Sequence, residues 1–206
     1  MPMRFMMLRA LAAATMACLV GGTIAFAQQA PRIRGEIETV DGATLSLKTR
    51  DGNTMAVKVA DDARVSALVK ASLADIKSDS FIGVAGMPQS DGSIEAFSIH
   101  IFLPAQRGVV PDRHGPWDAR PGSTMTNAYV ESAVQEKDAN TLMVKYKDGE
   151  KKILVTPQTV ISAVAPGDKS ELKAGTPIII MGSEKAADGT VLAKTLYIGR
   201  NVRPAM

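Results

Sequence analysis

The sequence predicts an all-β chain: two tandem five-stranded OB-like small β-barrels after an N-terminal signal peptide. One observation is duplication. TLSLKTRDG from Thr44 returns as TLMVKYKDG from Thr141, DIKSDSFIGVAG from Asp75 as ELKAGTPIIIMG from Glu171, and DGSIEAFSIHI from Asp91 as DGTVLAKTLYI from Asp188. Blocks in one order at near-constant offsets (141 − 44 = 97, 171 − 75 = 96) mark two copies of one unit. A second observation is period two inside each copy: Leu45 and Leu47 alternate with Ser46 and Lys48, and Met55, Val57 and Val59 with Thr54 and Lys58. The third is the turn chemistry, with Asp-Gly at 41–42, 51–52, 91–92, 148–149 and 188–189. These residues adopt the positive φ of tight hairpins at low cost.

Taken in chain order, residues 1–27 place Arg4 and Arg9 before an apolar run from Ala10 to Val20 and end small-x-small at Ala25–Phe26–Ala27. That order reads as a secretory signal peptide cut after Ala27. The rival readings are a retained anchor, for which the Ala/Gly-rich run is weakly hydrophobic, and a lipoprotein signal at Cys18, for which the preceding Thr15, Met16 and Ala17 lack the usual Leu. Residues 28–102 form the first copy, with strands at 33–40, 44–50, 54–60, 80–87 and 94–102. VSALVKASLADIK, between its third and fourth strands, is long enough for two or three helical turns. Five strands with a helical insertion after the third is the order of an OB-type barrel, an open curved sheet being the nearest alternative.

Residues 103–125 carry Pro104, Pro111, Pro116 and Pro121 and read as an extended linker, with Val109, Val110 and Trp117 to tack it onto a barrel. Residues 126–206 form the second copy, with strands at 127–135, 141–147, 151–156, 176–183 and 190–199; Pro166 and Gly167 shorten its insertion to about one turn.

Loss of the signal removes two arginines and no acids, leaving 24 − 2 = 22 basic against 21 acidic residues, so the pI near 9.0 is no argument for nucleic acid. It also removes Cys18, the only cysteine, and with it disulfides, a thiol nucleophile and thiolate metal sites. Nothing after Phe26 is apolar for long enough to span a membrane as a helix.

The run GEIETVDG from Gly35, the following TLSLKTRDG, the step to Val65, the DIK and ELK motifs ahead of apolar runs ending at Gly86 and Gly182, and the final DG strand resemble the exported bacterial domain of unknown function family 5666. The resemblance covers nearly all of both copies. It implies small periplasmic OB-like domains and carries no catalytic residue. The second copy departs at its start, where Ala128 replaces the Gly35 equivalent and AYVESAVQEKDAN is longer, which predicts a looser first hairpin.

Few side chains offer chemistry. His100 lies on the strand FSIHI opposite Phe97, Ile99 and Ile101, its counterpart is Tyr197, and a half-exposed strand position is expected. Asp112, His114 and Asp118 in PDRHGPWD are the candidate divalent-metal donors, with Trp117 as a pocket wall, though a fourth ligand is not in view. The repeated acids Asp75 and Glu171 read as turn caps. No Gly-x-Ser-x-Gly or phosphate loop occurs in the mature chain. The expectation is an exported, periplasmic or secreted, non-enzymatic binding or envelope-associated module without a cofactor, holding a protein or small-molecule partner and not nucleic acid; the alternative is a periplasmic divalent-metal-binding protein.

Overall fold

All ten expected strands form in the computed structural model, which describes residues 32–135 and 140–204. The expected signal segment with Cys18, and residues 136–139 where the looser hairpin is expected, lie outside those residues. The strands are β1 (Ile33–Asp41), β2 (Thr44–Thr49), β3 (Thr54–Lys70), β4 (Phe81–Pro88) and β5 (Ile94–Ile101), then a short edge strand β6 (Arg113–Pro116). The second copy supplies β7 (Thr124–Gln135), β8 (Asn140–Tyr146), β9 (Gly149–Pro166), β10 (Pro177–Lys185) and β11 (Val191–Arg200). The chain is all-β.

The pairings close two five-stranded rings, and they do so by exchange between the copies. Ring one runs β1–β2–β3 by antiparallel hairpins, then β3 to β11 in parallel, β11 to β10, and β10 back to β1. Ring two runs β7–β8–β9, then β9 to β5 in parallel, β5 to β4, and β4 back to β7. Each ring therefore takes three strands from one copy and the last two from the other. The expected division at 28–102 and 126–206, one barrel per copy, marks the repeats but not the closed units. Ring two is built from one continuous stretch, β4 to β9, whereas ring one joins the two ends of the described chain.

The core follows this partition. Ile37, Leu45, Leu47 and Val57 from the first copy pack with Ile178, Ile180, Leu196 and Ile198 from the second. Ile82, Val84, Ile94 and Ile99 from the first copy pack with Val130, Leu142, Val144 and Ile153 in ring two. Alternating apolar residues on both partners of each pair account for this, because each ring needs one apolar face turned inward along every strand.

β3 and β9 run past the point where helices are expected. They pair with each other from Ser66↔Pro166 to Lys70↔Ser162, with Leu68 opposite Val164. Since 164 − 68 = 96 is also the repeat offset, a pseudo-twofold axis passes between these two residues. The helical expectation for 65–77 is corrected to strand through Lys70 and a single 3-10 turn at Leu73–Asp75. Here Ala67 is buried in the core of ring one while Leu68 is buried in the seam between rings. A segment that must bury adjacent residues in different cores is served by a strand, whose successive side chains point apart. β-branched Val65 and Val69 suit it.

The 3-10 turns are capped as the repeated acids suggest. Ser72 donates from its backbone N–H and its hydroxyl to Asp75, both at 2.8 Å, and the Asp168 N–H donates to Glu171 at 2.8 Å. Glu171 is further gripped by Arg200 through two bonds of 2.6 Å.

The segment expected as a linker between barrels connects β5 to β7 inside ring two. Its β6 pairs with β7, and its following turn reaches across to ring one. Trp117 is buried with Leu68, Val164, Ile179, Tyr197 and Met125 in the seam, Arg34 meets Asp118 at 2.6 Å, and Arg50 donates to the Ala119 carbonyl at 2.6 Å. Val109, by contrast, is exposed.

Candidate ligand-binding site

A cavity of about 240 Å³ opens at this seam. Three parts of the chain build it: Arg32 at the start of ring one with Met181, Gly182, Thr195 and Tyr197 from β10 and β11; His100 and Phe102 at the end of β5; and Val110, Pro111, Arg113 and Trp117 from the segment between β5 and β7, with Met125 and Asn127. No Asp or Glu lines it.

His100 reaches the seam because the register shifts between Ala96 and Ser98, a β-bulge that moves Phe97 to the outer face while Ile99 stays inside ring two. His100 then follows on the outer face, and that face is covered. The residue is 3% exposed, which corrects the half-exposed expectation. Its ring lies over Gly83, the partner across the β4–β5 pair; a Cβ there would sit 2.2 Å from Nε2, so only glycine leaves room. Phe102 meets the imidazole edge-on at 4.6 Å.

Burial pushes the His100 pKa down to about 4, leaving the ring neutral near pH 7. Tyr197 is shifted up, mainly by burial, against the hydrogen bond that Gln106 donates to its hydroxyl at 3.1 Å. The Arg32 guanidinium carbon lies over the Trp117 ring, 3.9 Å from its centre, where a cation gains from the ring quadrupole.

Three buried side-chain nitrogens among the described residues lack a hydrogen-bond partner: Arg32 Nε, His100 Nδ1 and Trp117 Nε1. All three belong to residues that line this cavity, although the nitrogens themselves are closed off from solvent. Leaving such a group unpaired costs about 1–3 kcal/mol each, so their gathering in one place is a cost the rest of the fold does not incur.

Wider grooves lie on the outer face of ring one, of about 730 Å³ beside Arg34, Lys48, Arg50 and Arg203 and about 410 Å³ beside Asn53 and Met55. Their arginines are already engaged: Arg34 with Asp118, Arg50 with the Ala119 carbonyl, Arg203 with Glu36, and Arg32, which borders the smaller groove as well as the seam, with Asp118 at 3.5 Å. The seam cavity, with its unmet nitrogens, is the better candidate.

The residues expected to hold a metal are dispersed in role. His114, on β6, shares a 2.8 Å hydrogen bond with Thr126 through Nδ1, and burial with the nearby Lys151 charge holds its pKa low. Burial would raise the Asp118 pKa, but the hydrogen bond and charge of Arg34, helped by Arg32, hold it below the usual carboxylate range. Asp112 precedes β6 and is half-buried. Among the described residues, no group of three or more His, Cys, Asp or Glu side chains is placed to hold a metal ion, these three included. Asp118 instead serves as an ionic clamp between the segment and ring one.

Sequence reasoning singled out Trp117, His100 and Tyr197 but not Arg32, which lies just before the first repeated strand. The available signal was that these aromatic and basic residues break the repeat: His100 answers Tyr197, and Trp117 has no counterpart. No protein-family model, no curated protein and no solved structure matches the chain.

Proposed function

We propose that the chain is an exported, non-enzymatic binding module that holds a small molecule in the seam between its two rings. The observation that carries this is that all three residues with an unpaired buried nitrogen, Arg32, His100 and Trp117, line a single cavity. Support for export comes from the order of charge, apolar run and small residues over 1–27, and from the resemblance of both copies to an exported OB-like family. A binding role rather than catalysis suits the walls. The only imidazole there titrates near pH 4 and has no carboxylate beside it to orient it, which makes a poor general base at neutral pH.

Fractionation tests the first half: expressed with its own leader in a bacterial host with an outer membrane, the chain is expected outside the cytoplasm with Gln28 as its first residue. Retention in the cytoplasm at full length would reject export. Thermal shift of the 28–206 protein against a chemically broad small-molecule library tests the second half, because a ligand that binds only the native state raises the midpoint with concentration. A library that yields no concentration-dependent shift would reject the binding role.

A further inference from the structure

We propose that the seam cavity takes a small organic carboxylate carrying an apolar body, an inference that rests on the binding role above. Its polar side is cationic, with Arg32 and Arg113 and no acidic side chain in the lining, and the unpaired Trp117 indole N–H is buried within its walls. Asp118 touches Arg32 only at 3.5 Å, through Nη1, and is bound more closely by Arg34 at 2.6 Å, which leaves the Arg32 Nε–H unmet. A carboxylate supplies two coplanar acceptor oxygens, which guanidinium groups recognise through charge-assisted hydrogen bonds.

The rest of the lining is apolar. Phe102, Met125, Met181 and the Trp117 ring wall the cavity, and methionine thioethers adapt to ligand shape. Its size sets a ceiling as well. A dry cavity of about 150 Å³ accommodates a benzene ring, so about 240 Å³ has room for one ring or a short branched chain with its carboxylate, and not for a nucleotide or an oligosaccharide.

The test is calorimetric titration of the 28–206 protein with benzoate and phenylacetate, with their neutral amides, and with inorganic phosphate. Trp117 is the only tryptophan, so its fluorescence reports the site directly. The carboxylates should bind saturably and perturb Trp117, the amides at least tenfold more weakly, and phosphate not at all. Arg32→Gln should weaken carboxylate binding at least tenfold, with Arg32→Lys partly restoring it. Gly182→Leu should abolish binding while keeping every donor; the nearest atoms to a Cβ at Gly182 belong to Thr195, at 3.5 Å and beyond, an ordinary van der Waals contact that the backbone tolerates.

Amides binding as well as carboxylates would overturn the anionic class, and phosphate binding as tightly would overturn the apolar body. Failure of both carboxylates to saturate by 10 mM, roughly 2.7 kcal/mol of binding free energy, would overturn the proposal itself. Neutral hits in the library would then leave the binding role standing, and their absence would remove both.

Discussion

His100 ties the seam to pH. Its native pKa of about 4 lies below the ordinary 6.5, so between those values the unfolded chain binds more protons than the native one. Stability from this group is complete above about pH 6.5 and is lost as the pH falls toward 4, a span worth about 3 kcal/mol. His114, also shifted down, adds in the same direction. Urea denaturation at steps from pH 7 to pH 4 should show this decline, and His100→Gln should flatten much of it; an unchanged slope in the variant would remove His100 as the cause. The sequence placed this histidine on the correct strand and face. What it did not carry was the cover over that face, because neither the bulge at Phe97 nor the approach of Trp117 and Arg32 leaves a local pattern. Asp112, His114 and Asp118, the expected metal donors, are close along the chain, but Thr126 is hydrogen-bonded to the imidazole Nδ1 and Arg34 to the Asp118 carboxylate, partners that no local pattern announces.

At the scale of elements, the strands were legible because period two and Asp-Gly turns are local signals. At two of those turns the detail repeats as well: Asp91 accepts from the Ser93 N–H at 3.0 Å and Asp188 from the Thr190 N–H at 2.9 Å. The long run of β3 was not legible. VSALVKASLADIK is long enough for a short helix, and tertiary pairing of its first half with β9 and β11 decides against it. Leu68 is the test of that pairing, being 1% exposed on the pseudo-twofold axis. Leu68→Ala should cost about 2–5 kcal/mol in urea denaturation, as large-to-small changes in packed cores do, whereas Met55→Ala, at a position 37% exposed on the same strand, should cost under about 1 kcal/mol. Equal costs at the two positions would mean that the seam is not a packed core.

For the whole molecule, the repeat was legible and the exchange between copies was not. Two copies that each close their own ring and two that trade their last strands have the same alternation and the same turns. The difference lies in where the chain goes after β3 and after β9. The continuous ring two makes the alternatives distinguishable: a fragment of residues 72–168 should unfold cooperatively as a monomer, while 28–102, the first repeat alone, should not. In that fragment β1 to β3 have no β10 and β11, and β4 and β5 have no β7 to β9, unless a second fragment supplies an equivalent set by the same twofold relation. Sedimentation of 28–102 should therefore show a dimer or an unfolded chain. A folded monomer would sink the exchange.

The split origin of ring one also sets an order in time. As the chain emerges N-terminal end first, β4 to β9 complete ring two while β1 to β3 still wait for β10 and β11. The parallel joint in ring two, Ala96 with Val155, spans 155 − 96 = 59 residues; that in ring one, Lys58 with Leu192, spans 192 − 58 = 134. Closing the longer loop costs only about 0.7 kcal/mol more by chain entropy. The wait matters more, since during it the open edges of β1 and β3 are templates for pairing with another chain. The half that folds last is thus the half most exposed to mispairing.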